Sequence, residues 1–331
     1  MARAQRSLVR GPRYGGEMMD VMCIGDLVVD IFVKGVRDVP PPFNFTMPEA
    51  AQVHTGGDAV NTAIDLAKLG LNAGVIGRVG SDDSGEFLIG RMKDWGVNAN
   101  GVVKGRSAGT SVCFFIISPE GTESYWYYRG ASLEFAYEDV DLDLVKQAKI
   151  VLITGSYLIP AFDGEPTAKV LKAAKENGQT TAVDPSHGSI DGDWTTIEPV
   201  LPYTDIFLPN LDQAEAMSGV KGPEGAADYF LSKGIKTVAI KMDERGCLIK
   251  TAEKCIRLPA YEVEVVDMAG AGDAYVAGFL AGVLKGWDLS LTGKFANAVA
   301  AVNGRVMGCS SGVLPFEDAM KFMESAQVRK A

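Results

Sequence analysis

The segment Val265-Val266-Asp267-Met268-Ala269-Gly270-Ala271-Gly272-Asp273-Ala274-Tyr275-Val276-Ala277-Gly278 holds the residues whose types and spacing best suit chemistry. It reads as an apolar strand end running into a turn of small residues, with a helix opening immediately behind. With almost no Cβ atoms in the way, the amides of Gly270, Ala271 and Gly272 can converge on an anion. The positive end of the helix adds to their field. A carboxylate at Asp273 would repel that anion unless it has another task. Removing a proton from a hydroxyl that attacks a phosphoryl group is such a task. The plain alternative is a helix start with an acid in its first turn. Tyr275 stands where a dinucleotide fingerprint needs its third glycine, and no Gly-Lys-Ser or Gly-Lys-Thr follows the turn, so a P-loop is excluded.

A second constellation lies far upstream, at His54-Thr55-Gly56-Gly57-Asp58-Ala59-Val60-Asn61-Thr62-Ala63. Two glycines let a ligand approach the backbone, and Asn61 falls one turn into the following apolar helix. Its amide both donates and accepts, which suits a sugar hydroxyl. A turn followed by a helix with Asn61 as a local cap is the alternative.

Together the two stretches resemble the PfkB family of carbohydrate kinases, the ribokinase-like fold. Asp267, Gly270, Ala271, Gly272 and Asp273 match its C-terminal Asp-Thr-x-Gly-Ala-Gly-Asp signature, with Met268 in place of Thr, and Gly56, Gly57 and Asn61 match its N-terminal one. The resemblance implies a three-layer α/β/α core with a mostly parallel sheet and a small β-sheet lid. It implies ATP-dependent phosphorylation of a sugar hydroxyl, ribokinase- or fructokinase-like, with Asp273 as base and Gly270, Ala271 and Gly272 as the anion turn. Asp30, Gly56, Gly57, Asn61 and Arg129 are then expected on the sugar, and Asn210, Lys241, Asn297 and Ala301 on the nucleotide side. The family's Asn-x-x-Glu element carries Gln213 here, so Asp212 or Glu215 is expected to supply the charge toward magnesium. Asp267, Ala269 and Gly308 resemble the loop that holds a monovalent cation in many relatives, which makes potassium an expected cofactor beside ATP and Mg2+. A nucleoside kinase and a 2-keto-3-deoxygluconate kinase are the enzyme alternatives. A non-catalytic sugar or nucleotide sensor is the alternative of another class.

These residues need rigid elements to carry them. A chain of 331 residues with 47% hydrophobic and 22% charged content can bury a large core. Short apolar runs at Val21–Ile24, Ala73–Ile76, Val151–Thr154, Thr180–Val183, Ile206–Leu208 and Thr237–Ile240 alternate with helical spacing at Ala59–Leu69, Gly85–Trp95, Pro166–Asn177, Phe295–Met307 and Phe316–Ala326. That alternation favours a parallel sheet covered on both faces. Lid segments are expected near 30–54 and 109–129, with Thr110–Ile117 and Ser124–Tyr128 as a β-hairpin and a homodimer through the lid. Residues 1–18 read as a flexible extension and 19–331 as the kinase domain. A net charge of −10 argues against nucleic acid, and no run of eighteen apolar residues argues for a membrane span. Five scattered cysteines read as buried thiols in a reducing, cytoplasmic compartment.

Overall fold

Apolar runs that must be buried on both faces leave one economical arrangement, a sheet with helices on either side. The computed structural model has that arrangement and describes residues 18–38, 40–105, 107–186 and 193–329. Its strands, in chain order, are β1 (Met19–Ile24), β2 (Val28–Lys34), β3 (Ala50–Gly56), β4 (Ala73–Gly80), β5 (Asn98–Gly105), β6 (Ser111–Ile117), β7 (Glu123–Tyr128), β8 (Ala148–Ser156), β9 (Thr180–Pro185), β10 (Ile206–Phe207), β11 (Thr237–Lys241), β12 (Cys247–Lys250) and β13 (Cys255–Leu258). The helices are α1 (Asp58–Lys68), α2 (Asp83–Asp94), α3 (Leu142–Val145), α4 (Glu165–Glu176), α5 (Leu211–Ser218), α6 (Pro223–Ser232), α7 (Ala271–Leu284), α8 (Leu289–Asn303) and α9 (Phe316–Ser325).

Nine strands form the large sheet in the order β13-β12-β11-β10-β9-β8-β1-β4-β5. Pairing is parallel from β11 to β5 and antiparallel at β11-β12-β13. The period of two sorts side chains between the faces. Val21 and Cys23 of β1 join Phe279 and Phe295 of α7 and α8, while Met22 and Ile24 join Val170 and Phe230 of α4 and α6. From β1 the chain runs outward to β4 and β5, then returns to place β8 on the other side. Ligands bind such sheets outside the carboxyl ends of the strands where the order reverses. Here that is the end of β1 and β8, where Gly155 at φ 76° leaves room for the Asp26 carboxylate.

The second sheet has the order β3-β2-β6-β7. The expected hairpin is its β6-β7 pair, antiparallel with Phe115 opposite Tyr125. Register puts Asp30, Cys113 and Tyr127 in one row on one face, with Phe32, Phe115 and Tyr125 in the next row. Phe32 and Phe115 stack at 4.3 Å. Val53, Trp126 and Tyr128 project from the opposite face, each more than half exposed.

Several sequence expectations need correction. Val265 and Val266 do not end a strand: both are exposed, and the amides of Val266 and Asp267 donate to the Gly304 carbonyl instead of a ladder. The helix expected over Phe295–Met307 is α8, which begins where Asp288 caps the Leu291 amide and stops at Asn303, leaving 304–312 as a loop. Strand β5, helix α6 and the β12-β13 pair were not anticipated. Cys255 is exposed rather than buried, and all five thiols are free. Residues 1–17, and with them nearly all of the basic extension, lie outside the described residues. No helix among the described residues is long and apolar enough to cross a membrane.

Candidate active site

Asp273 enters on the first turn of α7, which opens directly from Gly270 at φ 71°. A Cβ at Gly270 would lie 2.0 Å from the Cys309 carbonyl oxygen, so both conformation and space require glycine there. Asn61 enters on the first turn of α1, which packs against α7. Its Nδ2 donates to Asp273 Oδ2 at 3.0 Å, and both side chains are buried. The two motifs therefore meet in space. The oxygen of the Asn61 amide is buried without a partner among the described residues. Burial and the charges of Asp58 and Asp184 push the Asp273 carboxyl well above its ordinary pKa, with the Asn61 hydrogen bond opposing them.

Lys241 ends β11 and pairs with Asp184 at the end of β9, Nζ to Oδ1 at 2.6 Å, both largely buried. The same ammonium nitrogen lies 3.5 Å from where a Cβ on Gly272 would stand. A cation thus borders the turn of small residues at the start of α7. Burial raises Asp184 to about 6, against the pull of Lys241. Neither Asp184 nor Asp58 was given a role from the sequence. One ends an apolar strand and the other follows two glycines, positions that carried the signal without identifying a role.

Asp30 is buried on β2, and the Cys309 thiol donates to its Oδ2 at 3.0 Å. Gly56 faces it from β3, where a Cβ would sit 2.2 Å from the carboxylate. Burial raises Asp30 to about 7, with the thiol holding it down. Gly57 adopts φ 80°, and a Cβ there would meet the Asp26 carbonyl at 2.5 Å. Asp26 is buried in the connection between β1 and β2. Its Oδ1 accepts from the Asp58 amide at 3.2 Å, and burial, with the charges of Asp58 and Asp30, pushes its carboxyl well above the ordinary range.

Asp267, Ala269 and Gly308 also come together, closed by hydrogen bonds of their own. Asp267 accepts from the Ala269 amide at 2.9 Å and the Gly308 amide at 2.8 Å. Asn303 donates to the carbonyls of Ala269 and Cys309 at 3.3 and 2.7 Å. The described residues contain no group of three or more acidic, histidine or cysteine side chains placed to hold a metal ion.

Other expected site residues have different partners. Arg129 is half-buried and its charge acts on Asp163. Asn210 caps α5 reciprocally with Gln213, each side chain accepting from the other's amide at 2.8 Å, although its backbone bridges to Lys241. Gln213 Nε2 also donates to the Ser186 carbonyl at 2.7 Å, a bond glutamate could not make. Asp212 is exposed, and Glu215 is taken by Lys221 at 2.6 Å and the Gly222 amide at 2.8 Å. Asn297 donates to the Pro259 carbonyl at 2.9 Å, and Ala301 is half-buried on α8.

A 5-dehydro-2-deoxygluconokinase from Clostridium perfringens is 28% identical over 320 residues, covering 92% of this chain and 93% of the relative. An uncharacterized sugar kinase from Archaeoglobus fulgidus is 32% identical over 238 residues, covering 71% of this chain and 92% of the relative. The crystal structure of ribokinase from Thermotoga maritima superposes with a TM-score of 0.79 at 25% identity, covering 93% of this chain and all of that one. The profile of the pfkB family carbohydrate kinases matches residues 18–316, and with the Asn61–Asp273 contact joining its two signatures, the chain belongs to that family.

Proposed function

We propose that the protein transfers the γ-phosphoryl group of ATP to a sugar hydroxyl, as a ribokinase- or fructokinase-like enzyme. The observation that carries this reading is a buried carboxylate, Asp273, held by Asn61 beside a glycine turn and the Lys241 ammonium. A base next to an anion site is the pairing that phosphoryl transfer to an alcohol needs. Asp273 takes the proton of the attacking hydroxyl. The amides of the turn and Lys241 face the charge that develops on the phosphoryl oxygens. Asp30 accepts from sugar hydroxyls, and Gly56 gives it room, while Gly57 lets the backbone of Asp26 and Val28 approach. Magnesium bound with ATP would neutralise the outer phosphates, commonly keeping several waters and using one or two carboxylates. The half-exposed Val53, Trp126 and Tyr128 on the outer lid face support a homodimer formed there.

The test is ADP production with ATP and magnesium across pentoses, hexoses, keto-acid sugars and nucleosides, beside Asp273→Asn. Acceptor-dependent turnover that the variant loses is expected. Turnover retained at the wild-type rate in the variant would overturn the mechanism.

A further inference from the structure

Three consecutive residues of the loop after α8 touch the lid, the acceptor side and the phosphoryl side of the proposed site. Gly308 lies against the lid, where a Cβ would come 2.5 Å from His54 Nδ1 on β3. The Cys309 thiol donates to Asp30 Oδ2 at 3.0 Å, on the acceptor side. The backbone of Cys309 faces the other way. A Cβ on Gly270 would stand 2.5 Å from its carbonyl carbon and 2.6 Å from its Cα. Ser310 Oγ donates to the Asn61 carbonyl at 3.3 Å, and Asn61 in turn holds Asp273.

Hydrogen bonds stitch this segment to the anion turn. Asn303, fully buried, donates through one amide nitrogen to the carbonyls of Ala269 and Cys309, and Asp267 accepts from the amides of Ala269 and Gly308 through its two oxygens. On the lid side Phe32 and Ile117 pack with Cys309, and Phe115, Ala269 and Met307 close around them. Cys309 is 4% exposed, so its side chain has no solvent to turn into. Close-packed interiors transmit such strain to their neighbours. A hydroxyl that donates to Asp30 competes with the thiol for the same carboxylate, and the thiol is the weaker donor.

We propose that Cys309 is a positioning residue that makes nucleotide affinity depend on the acceptor. The thiol holds the loop toward the lid through Asp30. A sugar hydroxyl that takes over Asp30 releases the loop, and the Cys309 backbone then seats against Gly270 and sets the turn for the phosphates. This rests on the kinase reading and deepens it. A coupling between two sites is reciprocal, so the nucleotide tightens the sugar by the same factor.

Calorimetry with the β,γ-imido analogue of ATP and magnesium, with and without D-ribose or D-fructose, reads the coupling as a ratio of affinities. In the wild type one of these sugars is expected to tighten the analogue by about 5-fold or more. Cys309→Ala should bring that ratio to within about 2-fold of unity, and Cys309→Ser, whose hydroxyl also donates, should restore most of it. A purely structural loss would weaken nucleotide and sugar separately and leave the ratio standing. Should Cys309→Ala give no folded circular-dichroism spectrum, Cys309→Val, which also lacks a donor, carries the same expectation. An unchanged ratio in the donor-free variant overturns the inference, as does a wild type in which neither sugar alters analogue binding. Turnover in the ADP assay would leave the kinase reading standing in either case. A ratio lost in the variant, with no turnover by the wild type, sustains the inference while the kinase reading fails.

Discussion

Asn61 and Asp273 are 212 residues apart in the chain, and the Asn61 amide donates to Asp273 Oδ2 at 3.0 Å across the α1–α7 contact. The contact does two things. It occupies one oxygen of the proposed base, so that the other is the one that receives a proton. It also stabilises the ionised carboxylate, the only form that can act as a base, against burial and the charges of Asp58 and Asp184.

Neutralising the base should therefore be felt in the chemical step. Asp273→Asn keeps size and hydrogen bonding, so kcat is expected to fall by roughly 10²–10⁴-fold. Acceptor binding measured by calorimetry should change little. A variant with normal turnover and intact circular dichroism would remove Asp273 from the mechanism.

Asn61→Ala probes the same pair through pH. Loss of the donor leaves burial and like charge unopposed, so the Asp273 pKa rises further. The acid limb of kcat/KM should move to higher pH, with partial recovery of rate in alkaline buffer. An acid limb that stays in place while rate falls uniformly would make Asn61 a substrate contact only.

That pairing marks the boundary of what the sequence made legible. The anion turn, its aspartate and the upstream Gly-Gly-x-x-x-Asn could be found because glycine spacing and a misplaced acid are local signals. Alternation of apolar runs similarly indicated the sheet, since burial on both faces leaves a local pattern. What Asn61 touches is not local. Sequence reasoning assigned its amide to a sugar hydroxyl; one of its two N–H groups donates to Asp273, and its oxygen has no partner among the described residues. The acids at Asp26, Asp58 and Asp184 were obscured for the same reason: each looks like a turn or strand-end residue until the ends of β1, β9 and α1 converge. Helix α8 was misplaced because Ala298 to Val302 continues an apolar pattern that gives no sign of the Asp288 cap upstream.

Gln213 was read as a missing carboxylate, and its geometry predicts the opposite of a defect. Its oxygen accepts from the Asn210 amide and its nitrogen donates to the Ser186 carbonyl, on a side chain 6% exposed. Gln213→Glu would set a carboxylate oxygen against a carbonyl in a buried position. We expect a loss of about 1–3 kcal/mol in urea unfolding. Unchanged stability, or a gain in magnesium-dependent turnover, would show that the acidic residue is accommodated after all.

Asp65 gives a pH-dependent prediction with a defined sign. It is fully buried on α1, one turn before Lys68 and near Ser310, and burial pushes its carboxyl to about 8 against the pull of both. In the unfolded chain an aspartate loses its proton near pH ~3.9. Between that value and about 8 the folded state binds more protons than the unfolded one, so the stability linked to this group is complete at low pH and is lost as pH rises through about 8. Asp65→Asn removes the titration at nearly constant volume. The variant should therefore gain on the wild type as the medium moves from about pH 5 to about pH 9, read as the difference in urea midpoints. A constant difference across that range would mean that Lys68 keeps Asp65 ionised throughout, and that the acid is a paired structural group instead of a buried proton carrier.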